Sequence, residues 1–165
     1  MSPPEDYIDI FLQPGDFYFG DSKTRIRTLL GSCVAITIWH PRHRIGGMCH
    51  YLLPVCKGKE CGKTLDGRYA HDAMKLFVRE MEKAGGRAPE YEAKMFGGGN
   101  QFPESPNVCP INVSNQNIHM GRQLLVNHGF NIKAEHLGGT GHRNVIFDVW
   151  SGEVWLKHVA KPGGQ

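Results

Sequence analysis

The amino-acid sequence predicts a single-domain protein of the α+β class. Two stretches carry apolar residues at three- and four-residue spacing, which is typical of amphipathic helices. Around them lie short runs rich in Val, Ile, Thr and aromatic residues, which are typical of strands. The chain has 165 residues, 40% of them apolar, so it is long enough to bury one full core.

The first 23 residues are interrupted by proline and glycine and are predicted to form a loosely docked N-terminal arm. Within this arm, residues 1–23, the run IDIFL predicts a short edge strand. Alternation of apolar and polar residues then predicts a strand from Thr24 to Leu30. The main domain is expected to cover residues 24–160, and residues 161–165 are expected to form a flexible tail.

The centre of the predicted fold is a β-hairpin built from two apolar-rich runs, Cys33–Trp39 and Arg44–Leu53. The polar segment between them contains Pro41, which presets φ for a turn. An even-length turn centred on Pro41 and the next residue would pair Cys33 directly with His50. An odd-length turn would place these two side chains on opposite faces of the hairpin.

The predicted register gives the hairpin one apolar face and one face of small residues. Cys33 and His50 share the second face, where three small neighbours would leave room for a substrate to approach: Ala35, Thr37 and Gly46. Directly opposed Cβ atoms lie about 4.5–5.5 Å apart in an antiparallel pair, so the thiol and the imidazole could form a hydrogen bond.

A thiol that faces an imidazole is the minimum set of groups for nucleophilic acyl transfer. Gly31 and Ser32 precede the cysteine, so the backbone can bend there and direct amide N–H groups at a developing oxyanion. An alternative is equally open at this point. Cys33 could be a small core residue, and His50 a hydrogen-bonded strand histidine without chemical function.

Helical periodicity predicts two helices after the hairpin. The first covers Arg68–Ala84, with Asp66 as its cap and a glycine pair at its end. The second covers Val113–His128, with Ser114 or Asn115 as its cap. Strands are predicted at Tyr91–Phe96, Phe130–Leu137, Asn144–Trp150 and Glu153–Val159.

The composition excludes several classes of function. A net charge of +3 is too small to indicate nucleic-acid binding, and the sequence has no basic stripe with interleaved aromatic residues. No apolar run reaches the length of a membrane span, so the protein is not expected to insert into a membrane. The N-terminus lacks the pattern of a signal peptide, which predicts a cytoplasmic protein.

The cysteine count is odd, which favours reduced thiols over a disulfide framework. Cys56 and Cys61 are spaced C-x4-C with His71 downstream, but structural zinc sites usually have a second close pair, and none is present. We therefore expect no metal. These two thiols are expected to lie in an exposed loop or to form an occasional disulfide.

Several blocks of the sequence together resemble one family. LGSCVAITIW followed by IGGMCHYLLP resembles the signature of the chemoreceptor glutamine deamidase family, CheD. GRYAHDAM, KMFGGGNQF and AEHLGGTGHRNVIFDVWSGEVWLKHV fit the same family in the same order. The resemblance covers roughly residues 24–160. It implies an α/β/β sandwich and cysteine-hydrolase activity on selected glutamine side chains of bacterial chemoreceptors.

The resemblance also implies the site and the partners. Cys33 would be the nucleophile, His50 the general base and acid, and Thr28 the residue that orients the histidine. The reaction would need no cofactor. The partners would be the cytoplasmic helices of chemoreceptors and a CheC-type phosphatase, and a non-enzymatic adaptor remains the alternative function. Residues that could shape or contact the substrate are Gly98, Gly99, Asn100, Thr140 and Arg143.

Overall fold

Two β-sheets and two helices make up the part of the chain that the computed structural model describes, which is residues 1–59, 61–102 and 112–162. The strands are β1 (Ile8–Leu12), β2 (Phe17–Gly20), β3 (Thr24–Leu30), β4 (Val34–His40), β5 (Ile45–Tyr51), β6 (Glu92–Gly97), β7 (Asn131–Leu137), β8 (His142–Asp148) and β9 (Val154–Val159). The helices are α1 (Ala70–Ala84) and α2 (Val113–Asn127). The four strands predicted after the hairpin are confirmed to within two residues at each end.

The two sheets have different strand orders and pack on each other. The first sheet has the order β1-β3-β8-β9, and the second has the order β2-β5-β4-β6-β7. One hydrophobic cluster lies between the sheets and contains Leu30 and Phe147 from the first and Met48 from the second. Another lies between the second sheet and both helices and contains Ile36 and Phe77. The described residues thus form an α+β sandwich, with the helices on one side of the paired sheets.

The N-terminal segment is part of this sandwich, which corrects the prediction of a loosely docked arm. The strand predicted from IDIFL is confirmed as β1, which pairs in parallel with β3 at the edge of the first sheet. The next strand, β2, pairs antiparallel with β5 at the edge of the second sheet. One short segment therefore contributes an edge to both sheets. Of the predicted tail, Lys161 is held by Thr140 and Gln101, and residues 163–165 lie outside the described residues.

The hairpin is present as β4 and β5, but its register differs from the prediction by two residues. His50 pairs with Ala35 rather than with Cys33, and Trp39 pairs with Gly46. The reason is the turn, which occupies residues 41–44 and has its centre one residue later than predicted. A two-residue shift preserves the face of each side chain, so Cys33 and His50 still belong to the same face.

That face is not open along its length as predicted, because the first sheet covers it. Thr37 is buried, and a Cβ atom on Gly46 would lie 3.1 Å from the ring of Phe147. The small residues therefore admit side chains of the other sheet. At the opposite end of the hairpin, Cys33 remains partly exposed.

Both predicted helices are confirmed, but the structure corrects their caps. Helix α1 begins after Tyr69, which makes no side-chain cap, and Asp66 instead accepts hydrogen bonds from Arg68. Helix α2 begins after Asn112, whose side chain accepts a hydrogen bond from the N–H of Asn115. The cap of α2 was missed because Asn112 can serve as well as the nearby Ser114 and Asn115, whereas Asp66 lies three residues before the N-cap of α1.

Helix α2 lies close to the second sheet at Gly121. A Cβ atom there would lie 2.3 Å from the hydroxyl oxygen of Tyr51 and 2.7 Å from Cε of Met95. The Tyr51 hydroxyl is buried and donates a hydrogen bond of 2.6 Å to the carbonyl oxygen of Asn117. Glycine is required because any side chain would displace this hydroxyl.

We expect Gly121→Ala to lower the free energy of unfolding by about 1–3 kcal/mol, because the alanine overpacks the interface and breaks the Tyr51 hydrogen bond. Urea titration followed by circular dichroism measures the change. His119→Ala, at an exposed position of the same helix, is the control and should leave the midpoint unchanged. An unchanged midpoint for Gly121→Ala would contradict the close packing.

Candidate active site

Cys33 lies in the connection between β3 and β4, where it is partly exposed. Its carbonyl oxygen accepts a hydrogen bond of 2.8 Å from the N–H of Gly98, and the carbonyl oxygen of Gly31 accepts one of 3.0 Å from Gly99. Gly97 has φ of 112°, and a Cβ atom on it would lie 2.2 Å from the Cys33 carbonyl oxygen. The glycine segment after β6 therefore holds the backbone of the cysteine loop in place.

His50 lies on β5 and is almost completely buried between the sheets. Its Nδ1 is 2.7 Å from the hydroxyl oxygen of Thr28, a residue of β3 in the opposite sheet. That hydroxyl donates its own proton to the carbonyl oxygen of Leu12 at 2.9 Å. Thr28 must therefore accept the proton of Nδ1–H, which leaves Nε2 as the unprotonated nitrogen.

The free nitrogen of His50 and the thiol of Cys33 share one face of the hairpin but are not hydrogen-bonded. Nε2 is buried and has no partner among the described residues. Cys33 precedes the first paired residue of β4, and His50 pairs with Ala35, so the two are neighbours on the diagonal. Catalytic hydrogen bonds are often long in free enzymes and shorten when substrate binds, so the arrangement is compatible with a dyad.

Burial keeps both groups in their neutral forms. It raises the pKa of the Cys33 thiol above its ordinary value. It lowers the pKa of His50 from 6.5 to about 4, against a smaller opposing effect of the Asp16 carboxylate. At neutral pH the site therefore holds a thiol and an imidazole that is free to accept a proton.

The depressed pKa of His50 predicts a loss of stability in acid. The His50 side chain takes up a proton near pH 6.5 in the unfolded chain but only near pH 4 in the folded chain. The contribution of neutral His50 to the free energy of unfolding is therefore complete above pH 6.5 and is lost as the pH falls to 4. The expected loss of unfolding free energy is about 3 kcal/mol. Urea titrations between pH 7 and pH 4 measure it. His50→Gln should be less sensitive to acid by that amount, and equal acid sensitivity of the two proteins would contradict the assignment.

The backbone before β4 offers hydrogen-bond donors beside the thiol. Within the described ranges, the amide N–H groups of Gly31, Ser32 and Cys33 donate no hydrogen bond to the turns and loops around them. Such donors, left free next to a nucleophile, can stabilise the negative oxygen of a tetrahedral intermediate.

The other predicted site residues lie nearby but differ in accessibility. Asn100 forms a main-chain bridge to Thr140, whose hydroxyl accepts a hydrogen bond from the N–H of Lys161. Arg143 is 1% exposed and donates to the carbonyl oxygens of Gly97 and Gly138 and to Nδ1 of His136. This packing favours a structural function for Arg143, in which it ties the glycine loops after β6 and β7 together.

Sequence reasoning missed two polar residues that support the site. The Gln101 side chain donates to the carbonyl oxygens of Gly99 and Gly141. Asn117 lies on α2 and is completely buried. The sequence did contain a signal for Asn117, because it is a polar residue next to Ile118 on the face of the predicted helix that was expected to be buried.

The cysteines of the loop after β5 are oxidised in the structure. Cys56 and Cys61 form a disulfide, whereas Cys33 and Cys49 are free. Over the described part of the chain, no group of three or more His, Cys, Asp or Glu side chains is arranged to hold a metal ion. No helix in that part is long and apolar enough to cross a bilayer.

The fold and the site together define an α+β sandwich in which a partly exposed thiol and a buried, tautomer-fixed imidazole belong to the same face of one hairpin. The chain belongs to the CheD family. The family model described as CheD chemotactic sensory transduction matches residues 52–158, and the similarity to individual relatives extends over most of the chain.

Two relatives show the extent of this similarity. A protein of Dechloromonas aromatica named probable chemoreceptor glutamine deamidase CheD 3 is 49% identical and matches 93% of this chain and 89% of its own length. A protein of Pseudomonas syringae pv. tomato named probable chemoreceptor glutamine deamidase CheD is 45% identical and matches 96% of this chain and 94% of its own.

Proposed function

We propose that the protein is a chemoreceptor glutamine deamidase, an amidohydrolase that converts glutamine side chains of chemoreceptors to glutamate. The family membership and the names of relatives at 45–49% identity support the reaction and the substrate. The observation that best supports the chemistry is the environment of His50. Its Nδ1–H is bound by Thr28, and its Nε2 has no partner among the described residues and belongs to the face that Cys33 shares.

The first half of the reaction is attack by Cys33 on the side-chain amide carbon of glutamine. His50 Nε2 accepts the thiol proton as the C–S bond forms, and the carbonyl oxygen becomes negative. The free N–H groups of residues 31–33 donate to that oxygen, a contribution of roughly 3–4 kcal/mol for each well-placed donor. The imidazolium then protonates the nitrogen, ammonia leaves, and a thioester joins Cys33 to the receptor.

The second half releases the product. His50 removes a proton from water, the resulting hydroxide attacks the thioester carbon, and the C–S bond breaks. The receptor leaves with a glutamate side chain, and the thiol of Cys33 takes back its proton. No cofactor takes part in these steps. The receptor gains one negative charge at the modified position, which alters electrostatics between its helices.

Thr28 is proposed as the orienting residue of the site. Its contacts with Leu12 and His50 fix the imidazole ring and its tautomer, in the way that a third residue supports other nucleophile–base pairs. Gly98 and Gly99 hold the backbone of the cysteine loop. Asn100 and Thr140 are proposed to lie at the rim that meets the receptor.

The test is incubation of the purified protein with purified cytoplasmic fragments of chemoreceptors, which we propose as the natural substrate in the cytoplasm. Mass spectrometry of receptor peptides should show the mass gain that accompanies replacement of an amide NH2 group by OH at particular glutamines. Fragments that retain their original masses after prolonged incubation would contradict the proposed function.

A second candidate is a non-enzymatic adaptor that binds receptors or a CheC-type phosphatase. The absence of a hydrogen bond between Cys33 and His50 favours it, because a site without a closed dyad could serve as a docking pocket. Binding that survives Cys33→Ala, together with unchanged receptor masses, would support the adaptor over the enzyme.

A further inference from the structure

Asn117 joins the two halves of the candidate site from helix α2. Its Nδ2 donates to the carbonyl oxygen of Leu52 at 2.7 Å and lies 3.5 Å from the carbonyl oxygen of Ser32. Ser32 precedes the cysteine, and Leu52 lies two residues beyond the histidine. One amide group therefore contacts both backbone segments that carry the reacting side chains.

The backbone of Asn117 is also fixed. Its carbonyl oxygen accepts the hydrogen bond of the Tyr51 hydroxyl, which comes from the residue directly after His50. Ser114, one helical turn earlier on α2, donates a hydrogen bond to the carbonyl oxygen of Gly99. Three backbone segments of the site, at Ser32, Leu52 and Gly99, are thus connected to α2. The helix acts as a rigid support for the loop of Cys33.

Stability alone is a poor explanation for this residue. Its Oδ1 is buried and has no hydrogen-bond partner among the described residues, although the side chain is completely buried. Burying an unpaired acceptor is unfavourable, and an apolar side chain of similar volume would avoid it. The arrangement keeps both N–H donors directed at the site in spite of that disadvantage.

We propose that Asn117 is a positioning residue of the deamidase reaction. Its amide group holds the backbone before Cys33 against the end of β5, and so sets the distance between the thiol and Nε2 of His50. The role of Asn117 in deamidation rests on the proposed function. The coupling of Cys33 to His50, in contrast, is a property of the chain that can be measured without a receptor.

The first experiment measures deamidation of a receptor fragment by the wild-type protein, Asn117→Asp and Asn117→Leu. Asn117→Asp keeps the size of the side chain but loses its NH2 donors. A misplaced nucleophile is expected to lower kcat about ten- to a hundredfold. KM should change little, because Asn117 does not contact the receptor. Wild-type kcat in both variants would overturn the proposal.

The matched control is Leu124→Ala, a buried position on the same helix that is remote from these contacts. It should lower the thermal midpoint of unfolding but leave kcat unchanged. If Leu124→Ala lowers kcat as much as the Asn117 variants do, the effect is one of general stability and the proposal fails.

The second experiment measures coupling through alkylation of Cys33 by iodoacetamide, with peptide mass spectrometry to identify the modified thiol. His50→Gln should slow alkylation in the wild-type background and should have little further effect in the Asn117→Asp background. Equal effects of His50→Gln in the two backgrounds would overturn the proposal. If the wild-type protein leaves receptor masses unchanged, the proposed function fails. The comparison of alkylation rates among the four proteins still decides whether Asn117 couples Cys33 to His50.

Discussion

Replacement of Cys33 by alanine is expected to lower the rate of receptor deamidation at least about a thousandfold, because the thiol that is proposed to form the covalent intermediate is lost. The substitution removes only a sulfur atom from a partly exposed position, so the fold should be preserved. Initial rates from receptor peptide masses measure the effect, and binding of the receptor fragment should remain.

Cys49 provides a matched control for this substitution. It is the other free cysteine of the described chain, lies on the same hairpin and is buried on the helix side of the second sheet. Burial raises its pKa to about 12, which makes it unreactive. Cys49→Ala should keep the deamidation rate of the wild type. Loss of activity in Cys49→Ala but not in Cys33→Ala would refute the assignment of the nucleophile.

Replacement of His50 by glutamine is expected to lower the rate about a hundred- to ten-thousandfold, because general base and acid catalysis are both lost. The glutamine amide can still contact the Thr28 hydroxyl, but it cannot exchange protons with the thiol or with ammonia. The kcat for receptor deamidation should therefore fall, with little change in KM.

His40 is the control for His50. It lies at the other end of the hairpin, is also buried, and contacts Glu90 rather than the site. His40→Gln should leave kcat unchanged. An equal loss of activity in both histidine variants would show that histidines of the hairpin act through stability alone, and the general-base role of His50 would be wrong.

The placement of Cys33 and His50 on one face of the hairpin shows how far local sequence patterns reach. Alternation and the proline-containing turn predicted the hairpin and the shared face correctly. The exact register was missed because the turn includes Arg44, which has φ of 51°, a conformation that the sequence does not indicate for arginine. The prediction that Cys33 and His50 share a face survived this error because the register shift was an even number of residues.

Contacts between the sheets could not be predicted from local patterns. Thr28 was assigned by resemblance, but the reason for its contact with His50 is that β3 packs over β5, and strand periodicity contains no information about sheet-to-sheet packing. The same limit explains the N-terminal segment, whose two short strands are stabilised by tertiary pairing with β3 and β5 rather than by their own propensity.

The thioester on Cys33 is the central claim, and interception by hydroxylamine tests it most directly. Hydroxylamine attacks the thioester in place of water, so receptor peptides treated with the wild-type protein should carry hydroxamate at the same glutamines that otherwise become glutamate. Cys33→Ala should give neither product. Deamidation by the wild-type protein with no hydroxamate, or hydroxamate formation by Cys33→Ala, would contradict a covalent intermediate on this residue.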